Sequence, residues 1–344
     1  MNDVNTNNRF NISAEIRSVK HKIKRKISFL ISAARLHKLD QCRVPNAPDE
    51  LRLFVMARNE SLRLPYFLEY YFSKGVDRVF LIDNNSTDET VNIALAHDNV
   101  HVYRTKESFK NYSNWMEILL DKFGTGHWCI SADLDEILCY PHVENLSIKQ
   151  LCRFLEQQKA TAMQCFLLDM YSDKPVCYND YISGSNPLTV CSFFDPQYEE
   201  SEKEWINQRT RKRFINKRFT GNMRKRVFGA NVSLSKIPLF KYGPGVFAVR
   251  GMHGMDGVHF SSLRGVVFHF KYLQDFNMRV VNEAARGQHE GNAADYKQYA
   301  QKVGEDPDLN CYYEGSVNYV DSTQLIKLGL LKTSQEFDAF SQRC

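Results

Sequence analysis

No apolar run in the 344-residue chain reaches the ~18 residues needed to cross a bilayer, and the short apolar part of Ile27 to Ala34 begins too late for an ordinary secretory signal. The glycine loops that cradle phosphates are missing too. No Gly-x-Gly-x-x-Gly follows the first predicted strand, and no Gly-x-x-x-x-Gly-Lys-Ser/Thr occurs anywhere, which argues against a dinucleotide fingerprint and against a P-loop. A nucleotide bound here must be held in another way. The nine cysteines lack metal-ligand spacing, and Cys129 and Cys165 lie inside apolar runs, so they read as buried free thiols of a reducing, cytoplasmic compartment. Net charge is also scarce over most of the chain. Of the formal +5, residues 1–48 hold ten Lys/Arg against three Asp/Glu, leaving 35 basic and 37 acidic residues for the remainder. A near-neutral body argues against a dedicated nucleic-acid-binding domain.

What is present is a core-sized complement of 43% hydrophobic and 12% aromatic residues, patterned as alternating strands and helices. Leu51 to Ala57 predicts a strand running into Arg58-Asn59-Glu60, and Pro65 to Lys74 a helix with Pro in its first turn and Gly75 as its stop. Arg78 to Ile82 predicts a second strand opening into Asp83-Asn84-Asn85-Ser86-Thr87-Asp88-Glu89, where Ser86 and Glu89 have capping-box spacing for a helix through about Ala96. Val100 to Tyr103, a helix over Asn114 to Phe123, and a fourth strand over Trp128 to Ala132 follow. Such repetition predicts an α/β fold: a mixed, mostly parallel sheet flanked by helices, with ligands at the carboxyl ends of its strands.

The fourth strand delivers Asp133, Asp135 and Glu136. In an extended chain residues two apart point the same way, so Asp133 and Asp135 are expected to project together and to suit a hard divalent cation on a diphosphate. Alone, Asp-x-Asp is as readily a solvated strand end, and Asp83 as readily an Asx-type turn.

Taken in order, Arg58-Asn59-Glu60, Leu81 to Asp88 and Trp128 to Glu136 resemble the nucleotide-binding half of bacterial family 2-like glycosyltransferases of the GT-A fold. The likeness covers about residues 51–140, and more loosely His269-Phe270-Lys271 and the helix after it. The resemblance implies that Asp83 faces the nucleobase with Arg58 and Glu60 lining the same pocket. It also implies that Asp135 binds Mn²⁺ or Mg²⁺ on a nucleotide-sugar diphosphate, with Asp133 near the ribose or behind the metal, and that inversion is the stereochemistry. His269, ending the apolar run Val266 to Phe268, is a candidate further metal ligand, with His253 as its rival.

The second half is less legible. Thr161 to Met170 predicts a strand that continues into Asp169-Met170-Tyr171-Ser172-Asp173, where Asp169 and Asp173 are candidate bases for an acceptor hydroxyl, although a structural role is the more ordinary one for each. Residues 199–204 carry four Glu, and 209–226 carry nine Lys/Arg and no acid, a pattern expected of a solvated mobile loop or of a lid closing Arg224, Lys225 or Arg226 over a diphosphate. In the leader, Ile16, Ile23, Ile27, Leu30, Ile31 and Ala34 form one face of a basic helix from about Ile16 to Leu39. That face suits either an anionic membrane surface or the domain itself.

The whole reads as a basic leader (1–48), a GT-A-like domain (49–275) and a helical C-terminal extension (276–344). The expected activity is metal-dependent sugar transfer from a nucleotide-sugar to a glycan or lipid-linked acceptor, at the inner face of the membrane if the leader docks there. The alternatives are metal-dependent nucleotidyl or phosphoryl transfer, and a non-catalytic nucleotide-sugar- or nucleic-acid-binding protein.

Overall fold

The computed structural model describes residues 4–344, with side chains from Val19 onward except His21 and Glu290. The first three residues of the leader and the side chains of Ile16 and Arg17 lie outside the described residues. A long helix, α1 (Val4–Arg35), precedes β1 (Arg52–Ala57), α2 (Leu64–Ser73), β2 (Arg78–Asp83), α3 (Thr90–Leu95), β3 (Val100–Arg104), α4 (Tyr112–Phe123), β4 (Trp128–Ser131), β5 (Glu136–Cys139), α5 (Ile148–Gln157) and β6 (Ala162–Asp169). A hairpin of β7 (Tyr198–Ile206) and β8 (Arg213–Gly221) follows, then α6 (Asn222–Phe228), β9 (Ser235–Lys241), β10 (Phe260–Arg264), β11 (Val266–His269), α7 (Phe276–Arg286) and α8 (Glu290–Glu305).

The central ten-stranded sheet has the order β3-β2-β1-β4-β9-β6-β11-β5, with β10 alongside β6 and the short segment His37–Lys38 at the β3 edge. From β3 to β4 every pairing is parallel, β9 runs antiparallel between β4 and β6, and β11 returns parallel to β6. Parallel strands must be covered on both faces, and the alternation along them shows it. Leu53, Val55, Val79 and Leu81 join one core with α2 and α5, whereas Phe54, Phe80 and Ile82 join another with Trp115, Met116 and Leu119 of α4. A third core of Tyr171, Met223, Phe228, Tyr272, Phe276 and Tyr299 seats the C-terminal helices over the strand ends. No helix among the described residues is long and apolar enough to cross a membrane.

Three expectations need correction. The capping box at Ser86 does not form; α3 starts at Thr90 because Asp83 Oδ1 accepts from the Ser86 N–H at 3.0 Å and Asp88 Oδ1 from the Thr90 N–H at 3.1 Å, which holds residues 84–89 as a loop. The expected loop over 209–226 is mostly ordered hairpin and helix. Its cations pair with the preceding acids, Lys217 with Glu200 at 2.5 Å, Arg213 with Glu204 at 3.0 Å and Lys225 with Glu199 at 2.6 Å, and cross-strand opposite charges favour that pairing. The leader helix ends at Arg35 instead of reaching Leu39, since His37–Lys38 pair with Arg104 and Tyr103.

Candidate active site

The carboxyl ends of β1, β4 and β11 open into one cleft of about 320 Å³, roofed by α7, α8 and the segment Arg250 to His253. Its shape rests on a lattice of polar residues just outside it. Asn59, at a positive φ of 54°, accepts from the Thr87 N–H at 2.8 Å and donates its own N–H to Ser86 Oγ at 3.0 Å; the Glu60 N–H reaches Thr90 Oγ1 at 2.8 Å and the Ser61 N–H reaches Asp88 Oδ2 at 3.0 Å. The Asp83 to Thr90 loop is thereby tied to the end of β1. Asp83 belongs to this scaffold. It is fully buried, does not line the cleft, and accepts at its second oxygen from Arg104 Nε at 2.6 Å. The expected position facing a base is therefore corrected to the Asx-type turn that its sequence equally allowed.

Arg58 and Glu60 do line the cleft. Arg58 donates to the Asn84 carbonyl at 2.6 Å and has no ion pair among the described residues; burial and Arg286 lower its pKa. Glu60 accepts two bonds from Arg279, at 2.7 and 3.0 Å, and one from Arg63 at 3.4 Å; its carboxyl is nevertheless raised, because burial outweighs Arg279 and Arg63.

The two aspartates of the Asp-x-Asp run lie in the turn between β4 and β5 and not on the strand, so they do not project together. Asp133 is 53% exposed and 3.3 Å from Lys236 Nζ, which also meets Glu136 at 2.6 Å. Burial works against the Lys236 charge, but Asp133 and Glu136 outweigh it and hold the ammonium form. Asp135 turns the other way, with Oδ2 3.4 Å from His269 Nε2. Burial would raise its carboxyl, yet His269, Arg279 and Arg63 hold it well below the usual range.

His269 is fixed from behind. Its Nδ1 lies 2.6 Å from Asp169 Oδ1, and Arg224 clamps the same carboxylate through Nε and a terminal nitrogen at 2.8 and 2.7 Å. Despite complete burial, Arg224 and His269 bring Asp169 down to about 2. Asp169 is thus fully engaged and does not line the cleft, which corrects its expected role as a base. Asp173 is exposed and also outside the cleft lining; its carboxylate accepts from Ser172 Oγ at 3.2 Å. Arg226, expected over a diphosphate, instead pairs with Asp195 at 2.9 Å and stacks on Tyr313, 3.9 Å from the ring centroid; of the three candidate lid cations only Arg224 reaches the cleft. His253 lines the cleft with Nδ1 2.7 Å from the Ser235 carbonyl, and burial and Lys236 bring it down to about 4. His253 is therefore a core histidine bonded to a backbone carbonyl.

Two further cleft cations have no carboxylate bonded to them among the described residues. Lys271 sits 4.2 Å from the centroid of the Tyr296 ring, and burial together with Arg224 and Arg279 brings it down to about 8. Arg250 lies 4.5 Å over Tyr112. With Arg58 they leave cationic groups directed at the cleft whose natural complement is an anion. Lys236 and Arg250 escaped the sequence reading. Pro238 disguised the strand that carries Lys236, because a proline in a central strand requires an irregularity, here the register shift between Lys236 and Leu239.

Among the described residues no three His, Cys, Asp or Glu side chains form a metal-holding group by themselves. Asp135 and His269 still fit as a pair of ligands. Nδ1–H donates to Asp169, so in the neutral ring the Nε2 lone pair is directed toward Asp135, the carboxylate-histidine arrangement that orients metal-bound imidazoles.

No family model matches the chain, and no curated protein matches it. Among solved structures, the crystal structure of 4-diphosphocytidyl-2C-methyl-D-erythritol synthase aligns at 17% identity with a TM-score of 0.26, over 40% of this chain and 66% of that one. The chain therefore spans just under two thirds of that structure's length.

Proposed function

We propose that this protein is a GT-A-type glycosyltransferase that moves a sugar from a nucleotide-sugar to a glycan or lipid-linked hydroxyl. The observation that carries this reading is the meeting of Asp135 and His269, 3.4 Å apart, in a cleft where Arg58, Arg250 and Lys271 make no ion pair with a carboxylate among the described residues. A nucleoside diphosphate leaving group is an anion that needs both features. Mn²⁺ or Mg²⁺ held by Asp135, His269 and the diphosphate would neutralise charge that develops as the sugar departs. The chain's own cations bind and orient the diphosphate, while Asp169 and Arg224 hold the His269 ring. In the transfer, the bond from anomeric carbon to diphosphate oxygen breaks, a bond to the acceptor oxygen forms, and the acceptor proton passes to solvent or base.

Incubating the full chain with a panel of nucleotide-sugars and Mn²⁺ tests the reading. Release of nucleoside diphosphate with free or transferred sugar is expected. Release of pyrophosphate from nucleoside triphosphates instead would reassign the same cleft to nucleotidyl transfer. Nucleotide binding without turnover would make it a binding protein.

A further inference from the structure

Helix α1 is mounted in an unusual sense. Its seam on α4 is polar and small: Asn114 Nδ2 donates to Ser28 Oγ at 2.9 Å and to Ser32 Oγ at 3.2 Å, Arg25 pairs with Glu117, and Ser32 is fully buried. The apolar residues face outward. Val19, Ile23, Ile27 and Leu30 are 52–58% exposed and follow one another at helical spacing, with exposed Lys20 and Lys24 on one flank of the stripe and Lys22 and Lys26 on the other. An apolar stripe edged on both sides by lysines complements a bilayer leaflet with anionic headgroups, where apolar burial and charge attraction add.

Beside this helix runs a second cavity, of about 490 Å³. It is bounded by Ser28 of α1, by Leu120 of α4 and by Phe247, Ala248 and Val249. Its rim is basic: Glu117 pairs with both Arg25 and Arg209, and Lys24 and Arg250 line it as well. Tyr112, Met116 and Arg250 to Met252 line this groove and the active-site cleft alike, so one wall serves both. A chain lying in the groove from the α1 side would run along that shared wall, next to the cleft.

We propose that the acceptor is an amphiphile drawn from an anionic membrane: α1 rests on the leaflet through its outward stripe, and the acceptor's apolar chain lies in the groove. This deepens the glycosyl-transfer reading and depends on it only for what happens to the head group.

The test uses the full chain, dansyl undecanoate as the chain probe, and sedimentation with phosphatidylglycerol or phosphatidylcholine vesicles. Wild type binds the probe and sediments with the anionic vesicles only. Ala248→Trp fills the groove, and Ser113→Trp blocks it from an exposed position on α4 that no core packing depends on. Each lowers probe affinity by about tenfold or more, the equivalent of two methylenes denied burial, and leaves Mn²⁺-dependent nucleotide stabilisation unchanged. Replacing Val19, Ile23, Ile27 and Leu30 by Ser abolishes sedimentation and preserves probe binding. Unaltered probe affinity in both Trp variants, no probe binding by wild type, or wild-type sedimentation of the Ser variant each overturns the proposal. Loss of nucleotide binding in wild type with the groove results intact would instead overturn the donor reading alone.

Discussion

Nδ1 of His269 and Oδ1 of Asp169 lie 2.6 Å apart, and since the carboxylate is ionised the imidazole is the donor. That single proton fixes the tautomer and turns Nε2 toward Asp135. Asp169, which the sequence offers as a base, is better described as the residue that positions His269.

Removing Asp169 should therefore act on stability first. Asp169→Ala leaves Arg224 buried beside His269 without its carboxylate, and an orphaned charge of this kind costs about 3–5 kcal/mol. Urea unfolding checks the value. Adding Arg224→Met should recover much of the loss, whereas a double variant no more stable than Asp169→Ala would show that the pair is not the source.

Asp83→Ala separates scaffold from base contact. Its carboxylate closes the loop at Ser86 and pairs with Arg104, so the variant should lose about 1–3 kcal/mol of stability, the cost of unpairing buried partners. Nucleotide Kd in the folded fraction should change by no more than a few-fold. A large loss of affinity at unchanged Tm would return Asp83 to the binding pocket.

Lys271 faces the cleft with aromatic neighbours and, among the described residues, no bonded carboxylate. Lys271→Met should weaken nucleoside diphosphate binding by about 1.5–3 kcal/mol, the range for a hydrogen bond to a charged group, and leave nucleoside binding alone. Isothermal titration with the two ligands distinguishes this from a packing role, which would affect both equally.

The acid side of the stability profile is set partly at the start of β1. Glu50 is pushed up by burial but brought below 4.5 overall by Arg78 and Arg52, at 2.6 and 2.8 Å. A carboxyl lowered in the folded state contributes stability that is complete above its unfolded pKa and disappears as pH falls through the folded one. Glu50→Gln should accordingly be less stable than wild type at neutral pH, with the difference narrowing below about pH 4.5. A gap that stays constant down to pH ~3 would point to lost packing instead.

Legibility in the sequence followed locality. The strands and helices from Leu51 to Ala132 could be read because each is a short periodic run with its own stop signal, and the structure moves their ends by a residue or two in most cases. The strand with Pro238 could not, since a bulge seen only in the sheet admits it. In the site, residue types were readable and directions were not. Asp133 and Asp135 were expected to act together, but a turn sends one to Lys236 and the other to His269, residues about a hundred positions away or more. Arg226 and Arg224 are two positions apart in a basic run, yet only Asp169 and Asp195, reached through tertiary packing, decide which of them faces the cleft.

The central claim is that Asp135 and His269 together hold a divalent cation on a nucleoside diphosphate. The most direct measurement is the thermal stability of wild type, Asp135→Asn and His269→Ala with nucleoside diphosphates, with and without Mn²⁺. A ligand at a hundred times its Kd adds about 2.7 kcal/mol, so wild type should show a Mn²⁺-dependent rise in Tm with at least one nucleotide. That rise should disappear in Asp135→Asn and demand more Mn²⁺ in His269→Ala, while metal-free nucleotide binding stays as in wild type. Identical Mn²⁺ dependence in wild type and both variants, or no Mn²⁺-dependent rise with any nucleotide, would contradict the account.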